Sequence, residues 1–170
     1  GSKAYNIPGV LQLEGNLDIP KLEQAFKLIF QRHSSLRTSF LEVNGEIVQQ
    51  VINAKNFTCE LEKQAVDHKN LDKEIKTVVE EEIDLSGASL LKIKLLKQED
   101  KTYYLVLSLH HTMGDGWSMQ VLSEELMYLY NQLVTGNKIE FPNLNIQYHD
   151  YVLWNIEKKK NPECSKVEDY

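Results

Sequence analysis

Tyr103-Tyr104-Leu105-Val106-Leu107-Ser108-Leu109 runs without a break into His110-His111-Thr112-Met113-Gly114-Asp115-Gly116, and then into Trp117-Ser118. The first part, extended back to Thr102, is a short apolar run and predicts a strand. From Trp117 to Val134 the period changes. Met119, Leu122, Leu126, Leu129 and Leu133 fall on one stripe at helical spacing, and Gly136 stands where a helix C-cap is expected. Between strand and helix, Gly114 and Gly116 flank Asp115 and are expected to let the chain turn sharply. Polar side chains at the end of a strand beside a helix start sit on a rigid support, a common location for chemistry.

Side chains alternate faces along a strand. Tyr103, Leu105, Leu107, Leu109 and His111 therefore share one face, and Tyr104, Val106, Ser108 and His110 the other. The two imidazoles point in opposite directions, so they cannot both attend one reacting group. Imidazole is the side chain best suited to moving a proton near neutral pH, and the helix beginning near Trp117 sets its positive dipole end beside Asp115. Each residue also has a plainer reading. A single histidine is more often packed or solvated than catalytic, and Asp115 is a good helix N-cap. Metal binding is disfavoured, because adjacent histidines on opposite faces chelate poorly and no third ligand follows closely.

Working outward, Gly9 to Leu17 carries a strand pattern. Asp18 then offers an N-cap, Pro20 sits in a first turn, and Leu22, Phe26, Ile29 and Phe30 predict a helix from Ile19 to His33. Thr38 to Val43 and Glu46 to Ile52 flank Asn44-Gly45, the dipeptide that best tolerates a tight hairpin turn. Thr58 to Lys63 reads as a further strand, and Leu71, Ile75, Val78, Val79 and Ile83 as an acidic amphipathic helix. Leu90 to Leu96 makes a second hairpin with Thr102 to Leu109, and Ile146 to Lys160 a last helix. The order β-α-β-β-β-α-β-β-α-α implies an α/β sandwich with a mixed sheet flanked by helices.

The 170 residues, 42% of them hydrophobic, suffice for one compact domain. A net charge of −6 offers no basic field for nucleic acid, and the densest basic run is the short Lys158-Lys159-Lys160. No apolar run is long enough to cross a bilayer. The two cysteines, Cys59 and Cys164, cannot build a disulfide framework, which fits a reducing, cytoplasmic setting. Gly1-Ser2 without an initiator methionine reads as a cloning scar, with natural sequence extending upstream.

Of 19 basic residues only two are arginines, Arg32 and Arg37, and both lie in Arg32-His33-Ser34-Ser35-Leu36-Arg37-Thr38-Ser39-Phe40. Arginine's planar fork suits a buried carboxylate, which marks one of the two as a partner for Asp115. The alternative is that both are surface cations at a helix end.

His110 to Ser118 resembles the HHxxxDGxS signature of condensation domains from non-ribosomal peptide synthetases. Arg32 to Phe40 is similar to that family's RHxxLRTxF motif. Tyr148-His149-Asp150-Tyr151-Val152-Leu153-Trp154 is similar to its YxDYAxW motif, with valine in place of alanine. The three occur in the family's order, and the likeness runs from Tyr5-Asn6-Ile7-Pro8 to Trp154.

The resemblance implies a chloramphenicol-acetyltransferase-like lobe and an enzyme that joins two acyl groups held on phosphopantetheine arms of peptidyl or acyl carrier proteins. It implies no cofactor bound to the lobe itself, and neighbouring synthetase domains as partners. By resemblance, His111 is the active-site histidine, His110 and Asp115 support the motif, Asp115 pairs with an arginine, and Gly116 leaves room for substrate. Trp117 and Ser118 are candidate channel-lining residues, Ser118 also a helix cap. Tyr148, Asp150 and Trp154 are expected to pack within the last helix, and His33, His68 and His149 to be structural or exposed. The family's first motif and second lobe have no counterpart, so residues 3–170 correspond to an N-terminal lobe with His111 on an open face. That lobe is expected to be inactive alone and to expose an apolar, self-associating interface.

Three other functions share parts of the pattern. They are coenzyme-A-dependent acyl transfer through HxxxDG, epimerisation of carrier-bound amino acids, and a non-catalytic lobe that only docks carriers. Cyclisation domains carry aspartates where His110 and His111 stand here.

Overall fold

A computed structural model describes residues 5–99 and 101–159. Its centre is the strand expected ahead of the histidines, β6 (Thr102–His110), flanked by antiparallel β1 (Asn6–Glu14) and β5 (Leu91–Lys97). A short parallel strand, β4 (Glu62–Ala65), completes a four-stranded mixed sheet in the order β1-β6-β5-β4.

Both faces of β6 are covered, which explains why its sequence reads as a continuous apolar run. Leu105, Leu107 and Leu109 pack with Leu22, Phe26 and Ile29 of α1 (Ile19–Arg32) and with Leu122, Leu126 and Leu129 of α3 (Gly116–Thr135). On the opposite face Val106 packs with Leu71 and Val78 of α2 (Leu71–Glu80). Each fully buried leucine or phenylalanine contributes roughly 1.5–3 kcal/mol. Helix ends follow the sequence signals. Asp18 accepts from the Lys21 amide at 3.0 Å with Pro20 in the first turn, and Gly136 closes α3 at φ 71°.

Two strand expectations change. The hairpin β2 (Thr38–Val43) and β3 (Glu46–Val51) forms around Asn44 and Gly45, both at positive φ, but as its own two-stranded sheet. Every residue of β3 is exposed, its apolar Ile47, Val48 and Val51 included, so β3 adds nothing to the core. The strand expected at Thr58 to Lys63 lies instead at Glu62–Ala65, between the buried anchors Leu61 and Val66.

The last helix, α4 (Tyr148–Lys159), exposes much of its apolar content, with Tyr148, Tyr151, Leu153, Trp154 and Ile156 all exposed. These side chains are spread around the helix rather than gathered on one face. Trp154 packs within the helix as expected, its ring centre 6.0 Å from that of Tyr151 and Lys158 over its ring at 5.0 Å. Asp150 accepts from the Gln147 amide at 2.8 Å and so caps the helix start. Among the described residues no helix is long and apolar enough to cross a membrane. Gly1-Ser2, Lys160 and Cys164 lie outside the described residues.

Candidate functional site

β6 hands its two histidines to different environments. His110, the last strand residue, is buried, and its amide donates to Leu90 O at 2.9 Å. Its Nδ1 lies 3.2 Å from the Thr112 amide nitrogen and 2.9 Å from Thr112 Oγ1. A backbone N–H can only donate, so Nδ1 is an acceptor and the ring proton belongs on Nε2. Burial, and then the neighbouring His111, lower the His110 pKa below its ordinary 6.5. His111 lies just past the strand; its amide donates to Tyr5 O at 2.7 Å and its side chain is exposed. The two imidazoles thus have different surroundings, one buried and bonded to Thr112, the other exposed.

The depressed His110 pKa has a testable sign. The folded ring binds fewer protons than the unfolded one, so its contribution to stability is complete above about 6.5 and is lost as pH falls through the lower folded value. Thermal melts between pH 7.5 and 5 are expected to show stability falling on the acid side, with a shallower fall for His110→Asn.

The turn and helix start explain the rest of the signature. Asp115 accepts from the Ser118 amide at 2.9 Å, and Ser118 Oγ lies 2.9 Å from Asp115 Oδ1 and 3.2 Å from the Asp115 amide. This is a reciprocal capping box at the start of α3. The Ser118 amide, then its hydroxyl, hold the Asp115 carboxyl below its usual range. The chain turns as expected, the Met113 amide donating to His110 O at 2.9 Å, but neither Gly114 nor Gly116 adopts positive φ. Gly114 is needed for closeness instead, since a Cβ there would lie 2.7 Å from Ser118 Cβ and 3.1 Å from Leu109 Cδ2. A Cβ on Gly116 would meet nothing within 4 Å, which leaves open space beside the helix start. Asp115→Ala is expected to lower the melting temperature by a few degrees, and Asp115→Asn by less, because asparagine caps nearly as well.

The arginine expectation is overturned. Asp115 is exposed and satisfied by Ser118, and neither arginine reaches it. Arg32 Nε meets Glu125 Oε1 at 3.1 Å, its Nη1 donates to Pro142 O at 2.7 Å, and its guanidinium lies 4.5 Å from the Phe141 ring centre. Arg37 is buried and donates to Phe30 O at 2.6 Å and to Ile52 O, tying the end of α1 to the end of the β2–β3 hairpin. Burial lowers its pKa, yet a guanidinium remains charged. Arg37→Ala strands two carbonyls and is expected to cost about 2–4 kcal/mol in denaturant melts. Arg37→Lys is expected to recover little, since an ammonium lacks the fork that serves both acceptors.

Glu125 and Gln147 are the supporting residues that sequence reasoning missed. Glu125 Oε2 sits 2.5 Å from His33 Nε2 while its other oxygen meets Arg32. Gln147 accepts from the Ser34 amide and lies 3.0 Å from Ser34 Oγ, and its Nε2 donates to Arg32 O at 3.0 Å. Nothing in the local pattern separates Glu125 from its exposed neighbour Glu124.

These links bring the three motifs together. Ser34 and Thr38, Thr112 and Met113, and Tyr148 and His149 line one tight junction. Beside it opens a cleft of about 210 Å³ whose walls include Leu36, Leu109, Met113, Trp117, Val121 and Leu122, with His33, Ser35 and Ser118 supplying polar atoms. Trp117, 72% exposed, and Ser118 stand at this cleft.

The chain's similarities follow this layout. The family model for the condensation domain matches residues 1–170. Gramicidin S synthase 2 of Brevibacillus brevis is 36% identical over 167 residues, covering 98% of this chain and 4% of that protein. Surfactin synthase subunit 2 of Bacillus subtilis (strain 168) is 35% identical over 167 residues, again 98% of this chain and 4% of that protein. Among solved structures, the starter condensation domain of the rhizomide synthetase RzmA superposes with a TM-score of 0.85 at 17% identity, covering 99% of this chain and 43% of that one. The X-domain in complex with OxyB from teicoplanin biosynthesis gives 0.86 at 24% identity, covering 94% of this chain and 34% of that one. The fold shared with these structures is the expected chloramphenicol-acetyltransferase-like one. A match along its whole length and a fold held in common establish that the chain belongs to the condensation-domain family.

Proposed function

We propose that this chain is the N-terminal lobe of a domain that forms amide bonds between two carrier-bound substrates, with His111 as the catalytic histidine. The observation that carries this is the division of labour at the end of β6: His110 is locked by Thr112, whereas His111 is exposed, and Leu109 and Met113, two residues to either side of it, line a cleft. The amine nitrogen of the acceptor attacks the donor's thioester carbonyl. A C–N bond forms, the C–S bond breaks, and the proton lost by nitrogen passes to His111 and from it to the departing sulfur, which leaves as the thiol. An α-amino group has an ordinary pKa of roughly 7.7–8.0, so much of it is already neutral near pH 8 and needs no strong base. His111 therefore orients the amine and takes its proton late.

Asp115, Ser118, Gly114 and Arg37 hold the turn and the helix start rather than touching substrate. The phosphopantetheine arm belongs to the carrier, and this chain needs only an open approach to His111, which its exposure provides. We take the partners to be peptidyl or acyl carrier proteins, a second lobe and neighbouring synthetase domains. We take the setting to be the cytoplasm, in keeping with two cysteines in 170 residues. The test is an amide-forming assay with the intact domain and two loaded carriers. Product that forms from loaded carriers but not from an acyl-coenzyme A bears the proposal out, and the reverse preference contradicts it.

A further inference from the structure

We propose that Thr58 to Leu61 is an unzipped extension of β4 that closes onto the free edge of β5 and displaces a serine plug, a closure that does not depend on the amide-forming reading above. β4 pairs with β5 only from Lys94 onward, from Glu62↔Lys94 to Ala65↔Lys97. Among the described residues no strand pairs with Leu91 to Ile93 on that side. Thr58 to Leu61 runs past this edge outside any strand, and Thr58, Cys59 and Glu60 line a slot of about 200 Å³ together with Leu91, Lys92 and Ile93.

The side chains of this strap are already disposed as in a strand. Phe57, Cys59 and Leu61 pack on the core, with the Phe57 ring centre 4.7 Å from that of Phe30, while Thr58 and Glu60 are exposed. Carried back in the register of β4, the strap sets Leu61 beside Ile93 and Cys59 beside Leu91, apolar against apolar on the face that meets α1. On the other face it sets Glu60 beside Lys92, repeating the Glu62–Lys94 pair that already stands at 3.7 Å. A slip of one residue would reverse both matches.

Ser89 holds the edge in the open form. The His110 amide donates to Leu90 O, so by alternation the amides and carbonyls of Leu91 and Ile93 point away from β6, toward the slot. There the Leu91 amide donates to Ser89 Oγ at 3.2 Å, and that oxygen lies 3.1 Å from Leu91 O. One hydroxyl thus serves the backbone groups that a neighbouring strand takes in a complete sheet. Closure exchanges it for the backbone of the strap and lengthens the sheet beside the strand end that carries His110.

Hydrogen exchange of the intact domain, read segment by segment, is the test. Ser89→Ala removes the plug, and the amides of Thr58 to Leu61 are expected to exchange about tenfold more slowly than in wild type, the worth of one or two added backbone hydrogen bonds. Glu60→Lys sets a cation beside Lys92 and is expected to speed exchange in the same segment. Glu60 is exposed, which keeps the proposal testable if Ser89→Ala does not fold. In the double variant the slowing should disappear. Exchange at Thr58 to Leu61 that is unchanged or faster in Ser89→Ala, indifferent to Glu60→Lys, or altered equally throughout the domain would overturn the closure.

Discussion

Replacing His111 by alanine in the intact domain is expected to slow amide formation by about 10²–10⁴-fold, the usual worth of a positioned proton acceptor. The loss should appear in kcat more than in KM, because the imidazole acts on the developing ammonium rather than on the bound thioester. His111→Gln separates the two parts of the role. Glutamine can orient an amine through a hydrogen bond but cannot accept its proton, so its rate is expected to stay near that of alanine. Raising the pH is expected to recover part of it, since hydroxide can take the proton that the missing imidazole no longer accepts. If His111→Gln retained most of the activity, proton acceptance would be eliminated and orientation alone would remain. His110→Asn serves as the contrast, because the buried ring is tied to Thr112 and its loss is read in acid stability.

A larger loss is expected when this chain is assayed without the rest of the domain. His111 is exposed, and the neighbouring cleft is open to solvent beside Trp117. Holding an amine and a thioester at attack distance is worth roughly 7–11 kcal/mol, or on the order of 10⁵–10⁸ in rate. One open face can hold neither arm in register with the other, so most of that contribution disappears while His111 remains in place. The isolated chain is thus expected to be slower than the intact His111→Ala domain. The exposed Tyr148, Tyr151, Leu153 and Trp154 of α4 should also make it prone to self-association, which light scattering would register.

Much of this architecture is legible from local pattern. The periods of 2 and 3.6 residues locate β6 and α3, Asn44-Gly45 marks its hairpin, and Gly136 its helix end, because each reflects a constraint on a few consecutive residues. That His110 is buried and His111 exposed agrees with the two rings facing different ways. What is not legible depends on distant partners. Scarcity of arginine drew attention to Arg32 and Arg37, but charge complementarity wrongly assigned them to Asp115. Arg37 instead serves the carbonyls of Phe30 and Ile52, and every backbone residue offers a carbonyl, so no sequence pattern could single those out. Asp115 finds its partner three residues on, in Ser118, and a cap is sufficient explanation for its place in the signature. Glu125 is invisible for another reason: only the packing of α3 against α1 decides which of two adjacent glutamates meets His33.

The most direct measurement is a single-turnover rate of amide formation from two loaded carriers, taken with the intact domain, with its His111→Ala variant and with this chain alone. The intact domain should form product, the variant should be slower by about 10²–10⁴-fold, and the chain alone should be slower still. Amide formation by the chain alone at a rate near that of the intact domain, or an intact His111→Ala domain that keeps pace with wild type, would contradict the view that His111 is one half of a shared site.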